Sequence, residues 1–400
     1  MVIGLFGNTN NYPFLLAEAL RSLGHQVVLI VTSKELLNRP ESIAAEFRSG
    51  LPDWMVDASD LEEDDYFDLS ADVSPVLSRL SGCEGLLLNW VGPSLLPLLN
   101  RPAIALLTGS DLDYYANPGM IEARTKTWPF DYKTSSEGQK YISTLSEFIE
   151  RQRRGIQMAT AVRYFPRGLV PFGDRLLDEL GIPENKRILL PASDLTRVKS
   201  VPPPHNRPIR IFCATRLTWK LPVEPGRSTL DYKGSDIMIR GLSLFYRETG
   251  TRLDIHLVRK GLHVNELEAL IAEEGLADQV TWSDEMSLTE VQHQFARSDI
   301  VIEQLSNSII GLAGSDAMAT GRPVIGNAQS DWFEATFGEM PPICQASTPE
   351  QVCDQLQRLV FNPEERERIG IVGRQYVERH FDPVQAARHC LQFFEQGRPG

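Results

Sequence analysis

Between Asp299 and Gly326 the sequence reads DIVIEQLSNSIIGLAGSDAMATGRPVIG, and it gathers several residues able to do chemistry in one place. Ile300-Val301-Ile302 is a short apolar run of the kind that forms a buried parallel strand. Glu303 follows, then small and polar residues with Gly311 and Gly314, then Ser315-Asp316-Ala317-Met318-Ala319, which suits a helix. Thr320-Gly321-Arg322-Pro323 stops that helix, with Gly at its C-cap and Pro just beyond, and Val324-Ile325 begins another strand. Backbone N–H groups and the positive end of a helix dipole at such a turn favour an anion or a hydroxyl-rich sugar. On spacing alone, ordinary αβ punctuation is the simpler reading.

Two cations stand in a matching context upstream. The run Ile209 to Ala214 ends in Thr215-Arg216-Leu217, and Tyr232-Lys233-Gly234-Ser235-Asp236 opens a helical pattern. A basic residue at a strand tip and another at a helix start can reach one anion, Arg216 as a bidentate fork and Lys233 as a point charge. A pair of surface cations would look the same. Near the start, Asn8, Asn10 and Asn11 follow the apolar run Val2 to Phe6, where open α/β sheets take their ligands, so Asn10 is a candidate contact. The same asparagines suit a turn and a helix cap. Only Gly4 and Gly7 stand where a dinucleotide fingerprint needs G-x-G-x-x-G, which disfavours NAD. The five cysteines lack CxxC or Cys/His metal spacing, and the seven histidines form no cluster for proton transfer.

The first stretch resembles the signature of retaining, nucleotide-sugar-dependent glycosyltransferases of family 4, the glycosyl transferases group 1 type with the GT-B fold. Their signature places a Glu, a Phe-Gly or similar pair, and a second Glu directly before Ala-Met-Ala-x-Gly-x-Pro-Val. Asp316 falls on the second Glu and Gly311 on the glycine, and Ala317 to Val324 follows the rest closely. Ser308, eight residues before Asp316, falls on the first Glu, the acid that holds the donor sugar in the family. Glu303-Gln304-Leu305 is similar to an Asp-Gln-Leu at the strand end in one subgroup, which implies that Glu303 supplies the missing carboxylate.

The resemblance also implies roles. Arg216 and Lys233 bind the donor's diphosphate and neutralise the leaving nucleotide, Asp316 holds the ribose, and Glu303 with Ser308, Gly311 and Leu312 holds the sugar. The loop from Ser283 to Ser287 meets the base through its backbone. Thr108-Gly109-Ser110-Asp111 is similar to a His-Gly-Ser-Asp turn beside the donor sugar in some members. Thr108 stands where the His would be, and Asp111 remains as a candidate catalytic contact to sugar or acceptor, or as a simple cap of the next turn.

These residues need a frame of alternating strands and helices, and the chain supplies that rhythm twice. Its 400 residues suit two domains. The expected fold is α/β, a GT-B arrangement of two Rossmann-like doubly wound domains facing across a cleft. Residues 1–200 form an acceptor-side domain, 201–380 the nucleotide-sugar-binding domain, and 381–400 a helix crossing back to the first. Ser200 to Asn206, with three consecutive prolines, is the expected linker. The acidic run Asp53 to Asp68 suits a solvated loop or helix face, as does the helical Tyr141 to Met158 with Arg151, Arg153 and Arg154.

Composition is that of a globular protein, 42% hydrophobic and 23% charged. A net charge of −13 disfavours a general nucleic-acid or anionic-membrane surface. No apolar run reaches the roughly 18 residues of a membrane span, the N-terminus lacks a secretory pattern, and the scattered cysteines suit a reducing cytoplasm. The expected function is hexosyl transfer with retention, from a nucleotide-diphosphate sugar to a hydroxyl of a glycan or lipid-linked acceptor, as in bacterial polysaccharide assembly. No metal or resident cofactor is expected, and peripheral membrane contact is compatible with that reading. An inactive GT-B scaffold is the alternative that Ser308 and the missing His suggest. A nucleotide-sugar epimerase on the same architecture is a third.

Overall fold

The computed structural model of the chain describes residues 1–220, 232–306, 308–328 and 331–396. Its contacts divide into two units, Met1–Leu190 with Pro383–Gly400, and Pro191–Asp382.

The first unit holds seven parallel strands: β1 (Val2–Phe6), β2 (Gln26–Val31), β3 (Met55–Asp57), β4 (Gly85–Asn89), β5 (Ala103–Leu106), β6 (Ala161–Arg163) and β7 (Arg187–Ile188). Their order is β3-β2-β1-β4-β5-β6-β7. Runs such as Val2–Phe6 and Gly85–Asn89 are apolar on both sides of the pleat because helices cover both faces. The helix Tyr12–Ser22 buries Phe14, Leu16, Ala19 and Leu20. The last helix, Pro383–Gln396, packs within this unit, where its Phe394 ring fills the space that a side chain at Gly85 would take. The acidic run is not wholly solvated: it contains β3 and the helix Glu63–Asp68, which buries Tyr66 and Phe67.

The second unit holds β8 (Ile209–Cys213), β9 (Leu253–Val258), β10 (Val280–Ser283), β11 (Ile300–Ile302), β12 (Val324–Gly326) and β13 (Cys344–Gln345). All are parallel, in the order β10-β9-β8-β11-β12-β13. Alternation along β8 sends Ile211 and Cys213 into one apolar layer with Met238, Leu242 and Phe245, and Phe212 into the other with Phe295, Met318 and Tyr376. Both faces are therefore sealed, as a doubly wound sheet requires.

The proline-rich stretch differs from a free linker. It lies along the second unit, where Val201 N–H donates to Thr320 O (3.1 Å) and Asn206 N–H to Asp299 Oδ1 (3.1 Å). Fully buried Arg322 donates to the carbonyls of Pro202, Phe295, Ala296 and Gly321. Fully buried Arg366 bonds to the carbonyls of Leu359 and Val360 and meets His205 Nδ1. Two arginines thus satisfy helix C-terminal carbonyls and hold the stretch down. The units accordingly part between Leu190 and Pro191, upstream of the prolines.

Candidate functional site

In the second unit β8 and β11 are hydrogen-bonded neighbours, yet β8 leads on to β9 on one side and β11 to β12 on the other. Loops leaving such a switch point diverge and open a crevice beyond the carboxyl ends of the strands. Arg216 follows β8 and is exposed, while Glu303 follows β11 and is buried.

Lys233 ties the two loops together. Its N–H donates to Thr218 O (2.8 Å) in the loop after β8, and its carbonyl accepts from Leu305 N–H (3.0 Å) in the loop after β11. Its ammonium donates to Gln304 Oε1 at 3.0 Å. Gly234 beside it takes a left-handed φ of 72° to start the helix Ser235–Thr249. The Arg216 loop is fixed from the other side. Leu217 N–H donates to Lys260 O (2.6 Å), and Leu217 O accepts from His263 N–H (3.1 Å). A side chain at Gly261, whose φ is 125°, would come within 2.6 Å of Leu217 N.

Glu303 accepts the backbone N–H groups of Gln304 and Gly311. Burial pushes its carboxyl up to about 7, against the nearby Lys233 ammonium and those two amides, which favour the charged form. Gly311 caps the helix Leu312–Ala319, and a Cβ there would lie 2.3 Å from Glu303 Oε1, so only glycine lets the carboxylate approach that helix start. Leu312, the first helical residue, is 39% exposed. Ser308 sits in the loop between, its hydroxyl buried and without a hydrogen-bond partner among the described residues.

Asp316 lies further along that helix, and burial and the Asp194 carboxylate push it up to about 7. Asp194 is buried and pairs with Arg197 (3.1 Å). No motif foretells this neighbour, which arrives because the stretch after Leu190 runs along the helix. Val198 packs with Ala317 and Ala319, and Arg374 Nη1 donates to the carbonyls of both Val198 and Ala319 (2.8 Å each).

The structure thus brings Lys233, Glu303, Gln304 and Gly311 into direct contact, with Arg216 on the adjoining loop. Gln304 was missed as a contact, although it adjoins Glu303 in the motif. Ser283 stands apart on β10, the edge strand, three strand intervals from β11, or about 14 Å at ordinary strand spacing. Its hydroxyl bonds His256 Nε2 (2.7 Å), and its carbonyl accepts Arg259 N–H (2.8 Å). Asn10 and Asp111 belong to the first unit. Asn10 is exposed, with φ 53° and its N–H donating to Asn38 Oδ1 (2.8 Å), while Asn8 and Asn11 are buried in the turn. Asp111 is 1% exposed. Oδ1 accepts the N–H groups of Thr108 (2.7 Å) and Gly109 (2.8 Å), and Oδ2 accepts Asn89 Nδ2 (2.9 Å) and Thr108 Oγ1 (3.1 Å). Its place is that of a buried anchor of the turn, not of a group presented to an acceptor.

Among the described residues no group of three or more His, Cys, Asp or Glu is placed to hold a metal ion, and no helix is long and apolar enough to cross a membrane.

Solved structures share the architecture over nearly the whole chain. Sucrose-phosphate synthase from Thermosynechococcus elongatus superposes with a TM-score of 0.60 at 14% identity, covering 99% of this chain and 98% of that one. Anabaena Alr3699/HepE, solved with UDP and glucose, gives 0.63 at 12% identity over 99% and 100%. WaaG, a glycosyltransferase of lipopolysaccharide biosynthesis, gives 0.56 at 13% over 98% and 99%. The fold is that of the two-domain GT-B glycosyltransferases, as expected. Residues 228–376, within the second unit, match the family described as Glycosyl transferases group 1. No curated protein matches the sequence.

Proposed function

We propose that the protein is a retaining glycosyltransferase that moves a hexosyl group from a nucleotide-diphosphate sugar to a hydroxyl of a glycan or lipid-linked glycan in the cytoplasm. The observation that carries this is the position of Lys233. Its main chain joins the loops after β8 and β11, and its ammonium stands beside the Glu303–Gln304 pair. That arrangement puts a cation, a buried carboxyl and the amides of a helix start at one switch point. The group 1 match and the GT-B fold support the same chemistry. Structures of HepE hold UDP with glucose and UDP-glucose, which makes UDP-glucose the first donor to test.

In this scheme Arg216 and Lys233 neutralise the diphosphate, and Asp316 accepts hydrogen bonds from the ribose. Glu303 and the Gly311–Leu312 amides hold the sugar, with Ser308 within the same loop. The Ser283 loop meets the base. The acceptor hydroxyl bonds to the anomeric carbon on the face that the leaving group vacates. The bond from that carbon to the phosphate oxygen breaks, and the hydroxyl proton passes to the departing phosphate. Fixed positive charge where negative charge develops lowers the barrier.

Calorimetric titration with a panel of nucleotide sugars, and release of free nucleotide from each, tests the assignment. Tight binding of one donor with slow hydrolysis, both lost in Arg216→Ala and Lys233→Ala, is the expected result. Failure of every nucleotide sugar to bind would refute it, and an inverted anomer in the product would refute retention.

A further inference from the structure

The first unit has a switch point of its own between β1 and β4, and Trp90 stands at its carboxyl end with a left-handed φ of 58°. For a bulky residue that conformation costs on the order of 1–3 kcal/mol, and it persists only where the surroundings fix it. Here every polar group of the residue is fixed. Its carbonyl accepts from buried Gln152 Nε2 (2.9 Å), and its N–H donates to the Asp111 carboxylate. Its indole N–H donates to the Tyr115 hydroxyl, which donates in turn to Glu63. Three rings grip the indole: Phe6 at 6.4 Å and nearly parallel, Tyr66 at 5.5 Å and Tyr115 at 6.2 Å edge-on. Those three are buried, whereas Trp90 keeps part of its surface exposed.

The polar loops on either side are fastened to the same strand end. Asn89 Oδ1 accepts Thr9 N–H (3.1 Å), and Asn89 Nδ2 donates to Asp111 Oδ2 (2.9 Å). Exposed Asn10 and Ser110 belong to those two loops. A strained and immobilised aromatic residue, partly exposed and flanked by polar loops, suits a ligand with one apolar face and hydroxyl edges, and a pyranose ring has that shape. An acyl chain would call for a wider apolar surface.

We propose that Trp90 is the platform of an acceptor subsite, stacking on the C–H face of a pyranoside, and that Asp111 serves by holding Trp90 and not by touching substrate. The proposal rests on the transferase reading above, in which the second unit takes the donor. Saturation-transfer difference NMR on the full chain tests it. The probes are the methyl glycosides of glucose, galactose, mannose and N-acetylglucosamine, without donor. Ring C–H protons of at least one probe should be saturated by the wild type. Trp90→Gly removes the ring and suits the left-handed backbone, so it should fold and bind that probe about tenfold more weakly. Trp90→Phe keeps a stacking face and should fall between the two. Absence of binding by the wild type to all four probes, or undiminished binding by Trp90→Gly, overturns the proposal. Because no donor is present, that outcome is distinct from a failure of the donor assignment, which would appear as no nucleotide-sugar binding to the wild type.

Discussion

Glu303→Gln keeps the shape of the side chain while removing its charge, so its effect on stability should vary with pH in a calculable way. Burial raises the Glu303 carboxyl from 4.5 to about 7, against the pull of Lys233 and of the Gln304 and Gly311 amides. A folded-state value above the unfolded one means that the folded protein keeps the proton to higher pH. The wild type therefore loses stability as pH climbs from about 4.5 through about 7, and the loss is complete above that. At about 1.4 kcal/mol for each tenfold in proton affinity, the full loss is roughly 3 kcal/mol. Glutamine has no such titration. The stability difference between variant and wild type should move in the variant's favour by about 2–3 kcal/mol between pH 5 and pH 8.5. Any constant cost from the altered amide contacts cancels in that comparison, and the titration of Asp316 is common to both proteins. Urea unfolding of both at the two pH values, followed by tryptophan fluorescence, measures it. A difference that does not change with pH, or that moves in favour of the wild type, would refute the reasoning. It would mean that Lys233 and the amides outweigh burial and that Glu303 is an ordinary carboxylate.

Gly311→Ala places a Cβ where Glu303 Oε1 stands, 2.3 Å away, and the displaced carboxyl should lower nucleotide-sugar hydrolysis roughly a hundredfold. An unchanged rate would put Glu303 outside the reaction. Arg322→Ala leaves four backbone carbonyls without their shared donor in a fully buried site. It should destabilise the second unit by about 3–5 kcal/mol, visible as a lower urea midpoint. All five cysteines are free and buried, and burial pushes the thiols of Cys83, Cys344 and Cys390 up to between about 11 and about 12. Ellman's reagent should therefore label the native protein slowly and five thiols quickly once urea unfolds it. Rapid labelling of the native chain would contradict the buried placement.

Much of the frame was legible because a strand buried on both faces must be an apolar run. Val2–Phe6 and Gly85–Asn89 announce themselves that way. Strands of two or three residues such as Ala161–Arg163 and Cys344–Gln345 are too short to carry a pattern. In the site, Glu303, Gly311 and Lys233 were legible through a motif that fixes residue order. The approach of Asp194 to Asp316 was not, because it depends on how the segment after Leu190 lies on a helix distant in sequence.

Asp111 and Trp90 show the harder limit. A carboxylate after a strand suits a ligand or a turn equally well in sequence, since both uses ask for an acceptor at a loop. The balance tips in the structure, where each oxygen of Asp111 already accepts from two of the donors in its own turn and strand end, and the Trp90 N–H is bound as well. What that buried acid does is hold a left-handed tryptophan in place. Left-handed positions are usually foretold by Gly or Asn, so a tryptophan there leaves no trace in a reading of propensities. A conformation that the local sequence disfavours, held by Gln152, Asp111, Tyr115, Phe6 and Tyr66 and left partly exposed, is strain that packing alone did not require.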